Sequence, residues 1–360
     1  MGQVMFKYHR LTTPSTLWFL VYLLTSTYST YNHLELYLRI RELVPFTYLV
    51  VEVVGRMALL LTYGICVTSD MKDLRSFYEC LKFADERLAK CETAEFKVLG
   101  GCIFSIYFGL LVILVVIYVQ VLGRQLMLLS CLVHLVLVLT MTLQLVTLVL
   151  ELWVRFCSLN TNLLEVLSFP GDSWLCFLLG GTWLPITPPN PPLPVNVSSL
   201  CQLQDAHVAL TRAADMLQQH FGLPTTASIA ASVCGATCSA YELLMALVNP
   251  GWIEQYSLFQ SAGVSALWLA YHLVKLVSLA LSSAAAMDAA VATGVILLRA
   301  SIVSTCSSPQ HEAFLRLTTM GPPLRFTAAG FITVDRRLLV SAIAIVITYI
   351  IILGQFTVTQ

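Results

Sequence analysis

Seven long apolar runs constrain the fold of this chain more than any other feature. A bilayer core about 30 Å thick is crossed by roughly 20 helical residues that rise about 1.5 Å each. Runs of that length cover residues 13–32, 43–66, 99–121, 126–150, 225–248, 256–281 and 337–357. They predict an all-α membrane protein with seven transmembrane helices.

The composition agrees with this prediction. Of the 360 residues, 58% are hydrophobic and 11% are charged, whereas soluble domains average about 25% charged residues. Twenty Lys and Arg balance twenty Asp and Glu, which removes any electrostatic case for binding nucleic acid. The eleven cysteines are an odd number and most lie in apolar runs, so we expect buried free thiols rather than a disulfide framework.

The first run is the weakest of the seven. Its apolar centre is short, and the hydroxyl-rich segment TSTYST follows it. A signal peptide is the alternative, because Lys7 and Arg10 provide the positive flank that either kind of segment needs. No small-residue cleavage pattern follows, so we interpret the run as a span.

The positive charges predict the orientation, because basic loops stay in the cytoplasm. With the amino terminus inside, fifteen of the twenty Lys and Arg residues are cytoplasmic and only Arg39, Arg41 and Arg124 are outside. Seven spans then place the carboxyl terminus outside. A G-protein-coupled receptor has the reverse orientation, so the charges disfavour that class.

The loops divide the chain unequally between the two sides. The predicted outer loops 33–42, 122–125 and 249–255 are short, so an external ligand must bind among the helices. The long inner segments are 67–98, 151–224 and 282–336, and we expect a helical cytoplasmic region there. Residues 169–196 are rich in Pro and Gly and predict an irregular insertion.

Polar residues inside spans are candidates for a ligand site, because burial in lipid is costly for them. Glu52 and Arg56 lie one helical turn apart, and a structural ion pair is the alternative to ligand contact. His134 lies about 12 Å inside the outer end of the fourth span, where it can line a pocket or bond a neighbouring helix.

Further candidates lie in the fifth and sixth spans. Tyr241 and Glu242 are near the outer end of the fifth, and interface anchoring explains Tyr241 equally well. Trp268 and Tyr271 lie midway along the sixth and can stack on a ligand. Deeper in that span, His272 and Lys275 are expected to anchor the helix or to extend toward the interface rather than to contact ligand.

Motifs for enzyme chemistry are missing from the sequence. It contains no Walker loop, no HExxH and no GxSxG. Cys234 and Cys238 are one turn apart, but a metal needs more ligands, so tight helix packing is the better interpretation. We therefore expect no enzyme activity, no metal and no cofactor.

The end of the last run carries a specific motif. Thr348 and Tyr349 are followed by five residues and then by Gln355 and Phe356, a pattern that closely resembles the terminal signature of the insect gustatory receptors. The resemblance extends upstream, since a Gly-Phe pair with a later acidic residue precedes this helix in the family. The matching upstream positions are Gly330, Phe331, Asp335, His207, Phe221, Gly222, Leu159 and Asn160. Gly354, where the family has a bulkier residue, and the Pro-rich insertion depart from the pattern.

The resemblance implies a function, a partner set and a location. It implies a chemoreceptor in the plasma membrane of sensory neurons that acts as a tastant-gated, nonselective cation channel. Four related subunits, identical or different, surround one pore. The bilayer lipid is the other partner, and a bitter or broadly tuned ligand is favoured over a sugar because few polar groups line the outer half-spans. A secondary transporter is the rival class, although the inverted repeats that it requires are not evident.

The resemblance also assigns parts of the chain to roles. Residues 1–150 form the ligand-binding bundle, 151–224 hold the insertion and an anchor helix, 225–281 hold spans five and six, 282–336 form the cytoplasmic anchor, and 337–360 hold the pore helix and a short outer tail. His207 and Asp335 belong to the anchor. Phe356 is the expected gate, with Gln355, Ile352, Thr348 and Tyr349 beside it.

Overall fold

The computed structural model describes the chain in six main segments. These are residues 72–88, 94–122, 125–167, 197–248, 262–303 and 308–358, together with a few earlier helical positions (23, 24, 27, 28, 30, 31, 53 and 55–57). The first and second predicted spans therefore lie almost wholly outside the described residues, as does the insertion 169–196.

The described chain is almost entirely helical, with one small hairpin. Three of its helices are long and apolar enough to cross a membrane, within Leu135–Val166, Ser198–Val248 and Ala262–Ile302, and Gly100–Val116 is a shorter apolar helix. The elements are α1 (Lys72–Asp85), α2 (Ala94–Leu122), α3 (Gln125–Val166), α4 (Val197–Val248), α5 (Ala262–Val303), α6 (Pro309–Met320), β1 (Thr327–Ala328), β2 (Ile332–Thr333) and α7 (Arg336–Val358).

The three longest helices exceed the thickness of a bilayer core. α3 and α5 have 42 residues each and α4 has 52, which corresponds to roughly 60–80 Å at about 1.5 Å per residue. The predicted fourth, fifth and sixth spans are thus parts of longer helices. In particular, the Ala-rich stretch after the sixth span continues that helix to Val303.

The hydrophobic core is concentrated in the halves of these helices that were predicted to be cytoplasmic. α3 packs against α4 and α5, and α1 packs along α4. α1 lies in the predicted inner segment 67–98, and its residues Leu74, Phe77, Leu81 and Ala84 repeat at helical spacing and are buried. The largest fully buried side chains of this core are Phe77, Phe156, Leu152, Leu159, Leu163, Leu200, Leu210 and Phe314.

One buried amide joins the two helices α3 and α5. The side chain of Asn160 is fully buried and donates to the Ala289 carbonyl at 2.8 Å. Its oxygen accepts a hydrogen bond from the Thr293 hydroxyl at 2.7 Å. A buried polar group without partners costs about 1–3 kcal/mol, so these two bonds allow Asn160 to lie inside an apolar core and fix the relative position of both helices.

Ion pairs surround the same region. Arg155 on α3 forms two bonds to the Asp85 carboxylate, at 2.8 and 3.0 Å, and also contacts Glu151 at 3.6 Å. Arg87 contacts Asp205 on α4 at 3.5 Å. The Arg155 and Arg87 side chains are partly buried, whereas Asp85 and Asp205 are more exposed, so solvent screens these pairs in part.

A tight hairpin introduces the last helix. β1 and β2 pair antiparallel, with Ala328 opposite Ile332. The loop 329–331 joins the strands, and the Phe331 N–H donates to the Ala328 carbonyl at 3.0 Å. Ala329 and Gly330 in this turn have φ values of 49° and 80°, a conformation that favours glycine. Asp335 then caps α7, because its carboxylate accepts the backbone N–H of Arg337 at 2.8 Å.

The described cysteines are free thiols, as expected, but burial was predicted wrongly for some of them. Cys102 and Cys234 are exposed on the surface of the single chain, and Cys238 is half-buried. Cysteines in an apolar span can face lipid as readily as protein, because the sequence pattern does not distinguish the two environments.

Replacing Asn160 tests the polar link between α3 and α5. Asn160→Ala removes both bonds and leaves the Thr293 hydroxyl without its acceptor, so we expect a loss of about 2–4 kcal/mol in the free energy of unfolding. Thermal unfolding of the purified protein in detergent measures it. Asn162→Ala is the matched control, since the buried Asn162 side-chain nitrogen bonds no described residue. Equal losses in both variants would contradict the assigned role.

Candidate functional site

A row of aromatic and polar side chains runs along one side of α5. Trp268, Tyr271, Lys275 and Ser278 follow one another at intervals of three or four residues, the spacing of one helical face. Tyr271 is buried in a small apolar cluster with Leu114 of α2 and Leu135 of α3, and Trp268 packs against the edge of that cluster. The rings of Trp268 and Tyr271 are 5.5 Å apart and nearly perpendicular.

A hydrogen bond joins α2 to α5 at Ser278, the last residue of this row. The hydroxyls of Tyr107 on α2 and Ser278 on α5 lie 2.6 Å apart, and Tyr107 is buried. Since the Tyr271 cluster and the Tyr107 bond both contact α2, this face of α5 lies toward α2 across about two turns. Sequence reasoning missed Tyr107 and Ser278, although hydroxyl groups inside uncharged runs were a signal.

The neighbouring face of α5 contacts α4. The Ser265 hydroxyl donates to a carboxylate oxygen of Glu242 at 2.7 Å, and both side chains are buried. Farther along, the imidazole of His272 lies directly over Gly235, which leaves no space for a side chain there. Tyr241 is 3% exposed, so the interface-anchoring alternative is wrong for it in this structure. Packing against a neighbouring helix, which its sequence position does not reveal, places it inside.

Lys275 is buried, although it was expected to extend toward the membrane interface. Its side chain is 5% exposed, and among the described residues its ammonium forms no ion pair and donates no hydrogen bond. It lies one turn from Tyr271 and nearly one turn from Ser278 on the face that is turned toward α2. A position in the middle of α5, between two sets of interhelical contacts, explains this burial.

The structure places the remaining ligand-site candidates only in part. Arg56 is buried and donates to the Thr30 hydroxyl at 3.3 Å, whereas its predicted partner Glu52 lies outside the described residues. His134 is within α3, but its side chain is not among those that the structure describes. The structure thus places Trp268 against Tyr271 and Glu242 against α5 through Ser265, and it leaves the second-span pair untested.

The final helix α7 packs against α4 and α5. Leu338 and Ala342 are buried, Val346, Ile350 and Gly354 continue the same side of the helix and are partly buried, and most of the other side chains described beyond Ala342 are exposed. A helix that is apolar all round requires lipid or protein around it. The exposed apolar residues include Val340, Ile343, Ile345, Ile347, Ile351 and Ile352.

Polar residues occur on α7 at a regular interval. Ser341, Thr348 and Gln355 are seven residues apart, so they lie along one side of the helix, and all three are exposed. Thr348 bonds the Ala344 carbonyl at 2.8 Å, and Tyr349 is 54% exposed on an adjacent side. Phe356 belongs to the last described turn, but its side chain is not described.

The predicted anchor residues lie at two separate places. Asp335 caps α7, as described above. His207 on α4 lies between the rings of Phe156 and Phe314, at centroid distances of 5.9 and 5.7 Å, and so joins α3, α4 and α6. Its Nδ1 is buried and bonds no described residue. Burial lowers the pKa of His207 to about 4, so the imidazole is neutral at physiological pH.

The residues that the structure describes form no candidate metal site. The described His, Cys, Asp and Glu residues form no group of three or more that could hold an ion. Cys234, Cys238 and Glu242 succeed one another by single turns on α4, but Glu242 already accepts the Ser265 hydroxyl.

The sequence matches a known protein family over most of its length. A family model described as "7tm Chemosensory receptor" matches residues 11–360. A search of curated proteins found no match.

Two solved structures of an insect olfactory receptor have a similar fold. The olfactory receptor OR5 of Machilis hrabei aligns with a TM-score of 0.60 and 11% identity, covering 94% of this chain and 88% of the receptor chain. The same receptor in complex with eugenol aligns with a TM-score of 0.51 and 16% identity over the same shares of both chains. At such low identities the likeness concerns the fold alone.

Filling the space at Gly235 tests the contact between α4 and α5. Gly235→Ala places a methyl group inside the His272 ring, and overpacking of this kind costs about 1–3 kcal/mol. We expect a lower melting temperature in detergent, restored by the double variant Gly235→Ala with His272→Ala. Gly109→Ala on α2 is the control, because its new methyl group meets no described atom within 4 Å. A Gly235→Ala protein as stable as this control would refute the contact.

Acid should weaken the packing around His207. The unfolded chain, with an imidazole pKa near 6.5, binds more protons between about pH 6.5 and 4 than the folded protein does. Stability that is fully present above pH 6.5 is therefore lost as the pH falls through this range, by up to about 3 kcal/mol. Denaturation of the wild type and of His207→Leu at several pH values measures the difference. Parallel pH dependences would show that His207 does not contribute.

Proposed function

The chain belongs to the 7tm chemosensory receptor family, and from that premise we propose that it is a gustatory receptor: a tastant-gated, nonselective cation channel. The observation that carries the channel proposal is the state of α7. Beyond Ala342 this helix exposes most of its described side chains, which are mainly apolar, and it carries exposed polar residues at every seventh position.

A pore lined by α7 accounts for these features together. Polar side chains in lipid are costly and normally face protein or water, so Ser341, Thr348 and Gln355 are expected to turn away from the bilayer. The apolar remainder of α7 suits lipid and the neighbouring subunits. Four copies of α7, one from each subunit of a tetramer, would surround a water-filled pathway. Phe356 and Ile352 form its apolar constriction, which closes the pore by excluding water.

The proposed membrane topology has seven spans. α2, α3, α4, α5 and α7 contain the third to seventh spans, and the two earlier runs supply the others. The amino terminus is cytoplasmic and the carboxyl terminus extracellular, because this orientation retains fifteen of the twenty basic residues inside. The large packed core then lies on the cytoplasmic side and joins the subunits. The receptor resides in the plasma membrane of a sensory neuron.

The ligand site of the proposal lies around α5, among Trp268, Tyr271 and Glu242. Structures of the olfactory receptor OR5 include a complex with eugenol, which supports a small-molecule ligand for this chain as well. Its aromatic, nearly dry surroundings favour a bitter or broadly tuned compound over a sugar. A ligand that fits the open arrangement better than the closed one shifts the population toward the open channel.

The two rival classes lack comparable support. A G-protein-coupled receptor has basic loops on the opposite face, and a secondary transporter is built from inverted repeats with broken helices near the midplane. α3, α4 and α5 are continuous through the described parts of their predicted spans, with α4 continuing through Pro224.

Whole-cell current from cells that express the chain tests the proposal directly. A panel of sugars and bitter compounds should evoke a cation current, and Phe356→Ala should raise the current in the absence of ligand because the apolar closure is weakened. Current without any effect of the substitution would contradict the assignment of Phe356 as the gate. Surface labelling confirms that each variant reaches the membrane.

A matched pair of isoleucines tests which side of α7 lines the pore. Ile352 lies on the proposed pore side, whereas Ile347 lies about 140° around the helix and is also exposed. We expect Ile352→Asn to produce a ligand-independent current by hydrating the constriction, and Ile347→Asn to leave closed channels silent. The opposite ranking would place the pore on the other side of the helix.

A further inference from the structure

Lys275 is the buried cation of α5 for which the described structure provides no partner. Its side chain is 5% exposed, yet its ammonium forms no ion pair or hydrogen bond with any described residue. Glu242, which is also buried, accepts the Ser265 hydroxyl, and Arg336 bonds Asp288 at 2.8 Å. Because buried charges are normally paired, the exception calls for a counter-charge from elsewhere.

The position of Lys275 in the helix bundle fits a ligand contact. One turn before Lys275, Tyr271 packs with Leu114 and Leu135. Trp268 lies nearly one turn before Tyr271 on the same side of the helix. Nearly one turn after it, Ser278 bonds Tyr107. Lys275 therefore lies between an aromatic, apolar layer and a hydroxyl pair, at the junction of α2, α3 and α5.

We propose that Lys275 receives the carboxylate of an acidic ligand whose aromatic or aliphatic body lies against Trp268 and Tyr271. This inference rests on the ligand site proposed above and specifies its chemistry. An ammonium group offers three donors and forms short, charge-assisted hydrogen bonds to a carboxylate. The adjacent rings provide the apolar surface that the rest of such a ligand needs.

The same chemistry excludes other ligands from this position. A protonated amine, as in many alkaloids, is repelled by a like charge in a dry environment. A neutral sugar presents many hydroxyl groups, whereas the apolar layer of Leu114, Leu135 and Tyr271 offers them few partners. An organic acid provides a negative charge for Lys275 and an apolar body that packs against the layer of Leu114, Leu135 and Tyr271.

Binding of matched acids and esters to the purified full-length receptor tests the proposal without relying on channel activity. The probes are benzoate, phenylacetate and cinnamate, each beside its methyl ester, near neutral pH where the acids are ionised. A ligand-induced rise in melting temperature in detergent measures binding. We expect the acids, but not the esters, to stabilise the wild type.

Substitutions then assign the effect to Lys275. Lys275→Met keeps the length and apolar stem but removes the charge, and we expect about tenfold or weaker affinity for the acids. Lys82→Met, which removes an exposed lysine of α1, is the matched control and should bind as the wild type does. Lys275→Gln provides a second neutral variant if Lys275→Met is poorly expressed, and the wild-type comparison of acid with ester needs no variant.

The outcomes separate this inference from the proposed channel function. Equal stabilisation by acid and ester, no stabilisation by any acid, or undiminished acid binding by the neutral variants would each overturn the role of Lys275. Acid binding that depends on Lys275 without any current in cells would support the inference while refuting the channel. A current evoked by neutral compounds, with no acid bound to the wild type, would support the channel while refuting the role of Lys275.

Discussion

The two hydrogen bonds of the buried Asn160 side chain hold together the helices on which the rest of the structure depends. In an apolar core these bonds are strong and directional, and their partners on α5 lie one turn apart at Ala289 and Thr293. α3 and α5 are thereby fixed against each other. α4 packs on both, and the shorter α1 and α6 pack on the long helices in turn. The main hydrophobic core surrounds this link.

The packing changes along the length of the bundle. Toward the ends predicted to be cytoplasmic, large side chains such as Phe77, Phe156 and Phe314 are completely buried. Toward the predicted outer ends, the core shrinks to a small cluster around Tyr271, and the described side chains of α7 beyond Ala342 are at most partly buried. A rigid base with less densely packed outer helices suits a receptor, because regions with few buried contacts change conformation at the lowest free-energy cost.

The sequence predicted the candidate site unevenly. Glu242, Trp268 and Tyr271 were identified because polar and aromatic residues in an apolar span are unusual, and the structure gathers all three around α5. Lys275 was expected near the interface and Tyr241 was open to an interface position, yet both are buried. Whether a residue in a span faces lipid, another helix or a pocket depends on which helices pack beside it, and hydropathy alone does not encode that choice.

The sequence by itself determined the helical fold class, the positions of the described long apolar helices and, through the terminal motif, the family. These depend on local properties: apolar length, turn residues such as Gly330, and a short run of identities. Only the tertiary structure decided which polar groups pair across helices. Asn160 with Thr293, Ser265 with Glu242 and Tyr107 with Ser278 are separated by 133, 23 and 171 residues. Long-range pairing depends on helix register and rotation, which packing sets after the helices have formed.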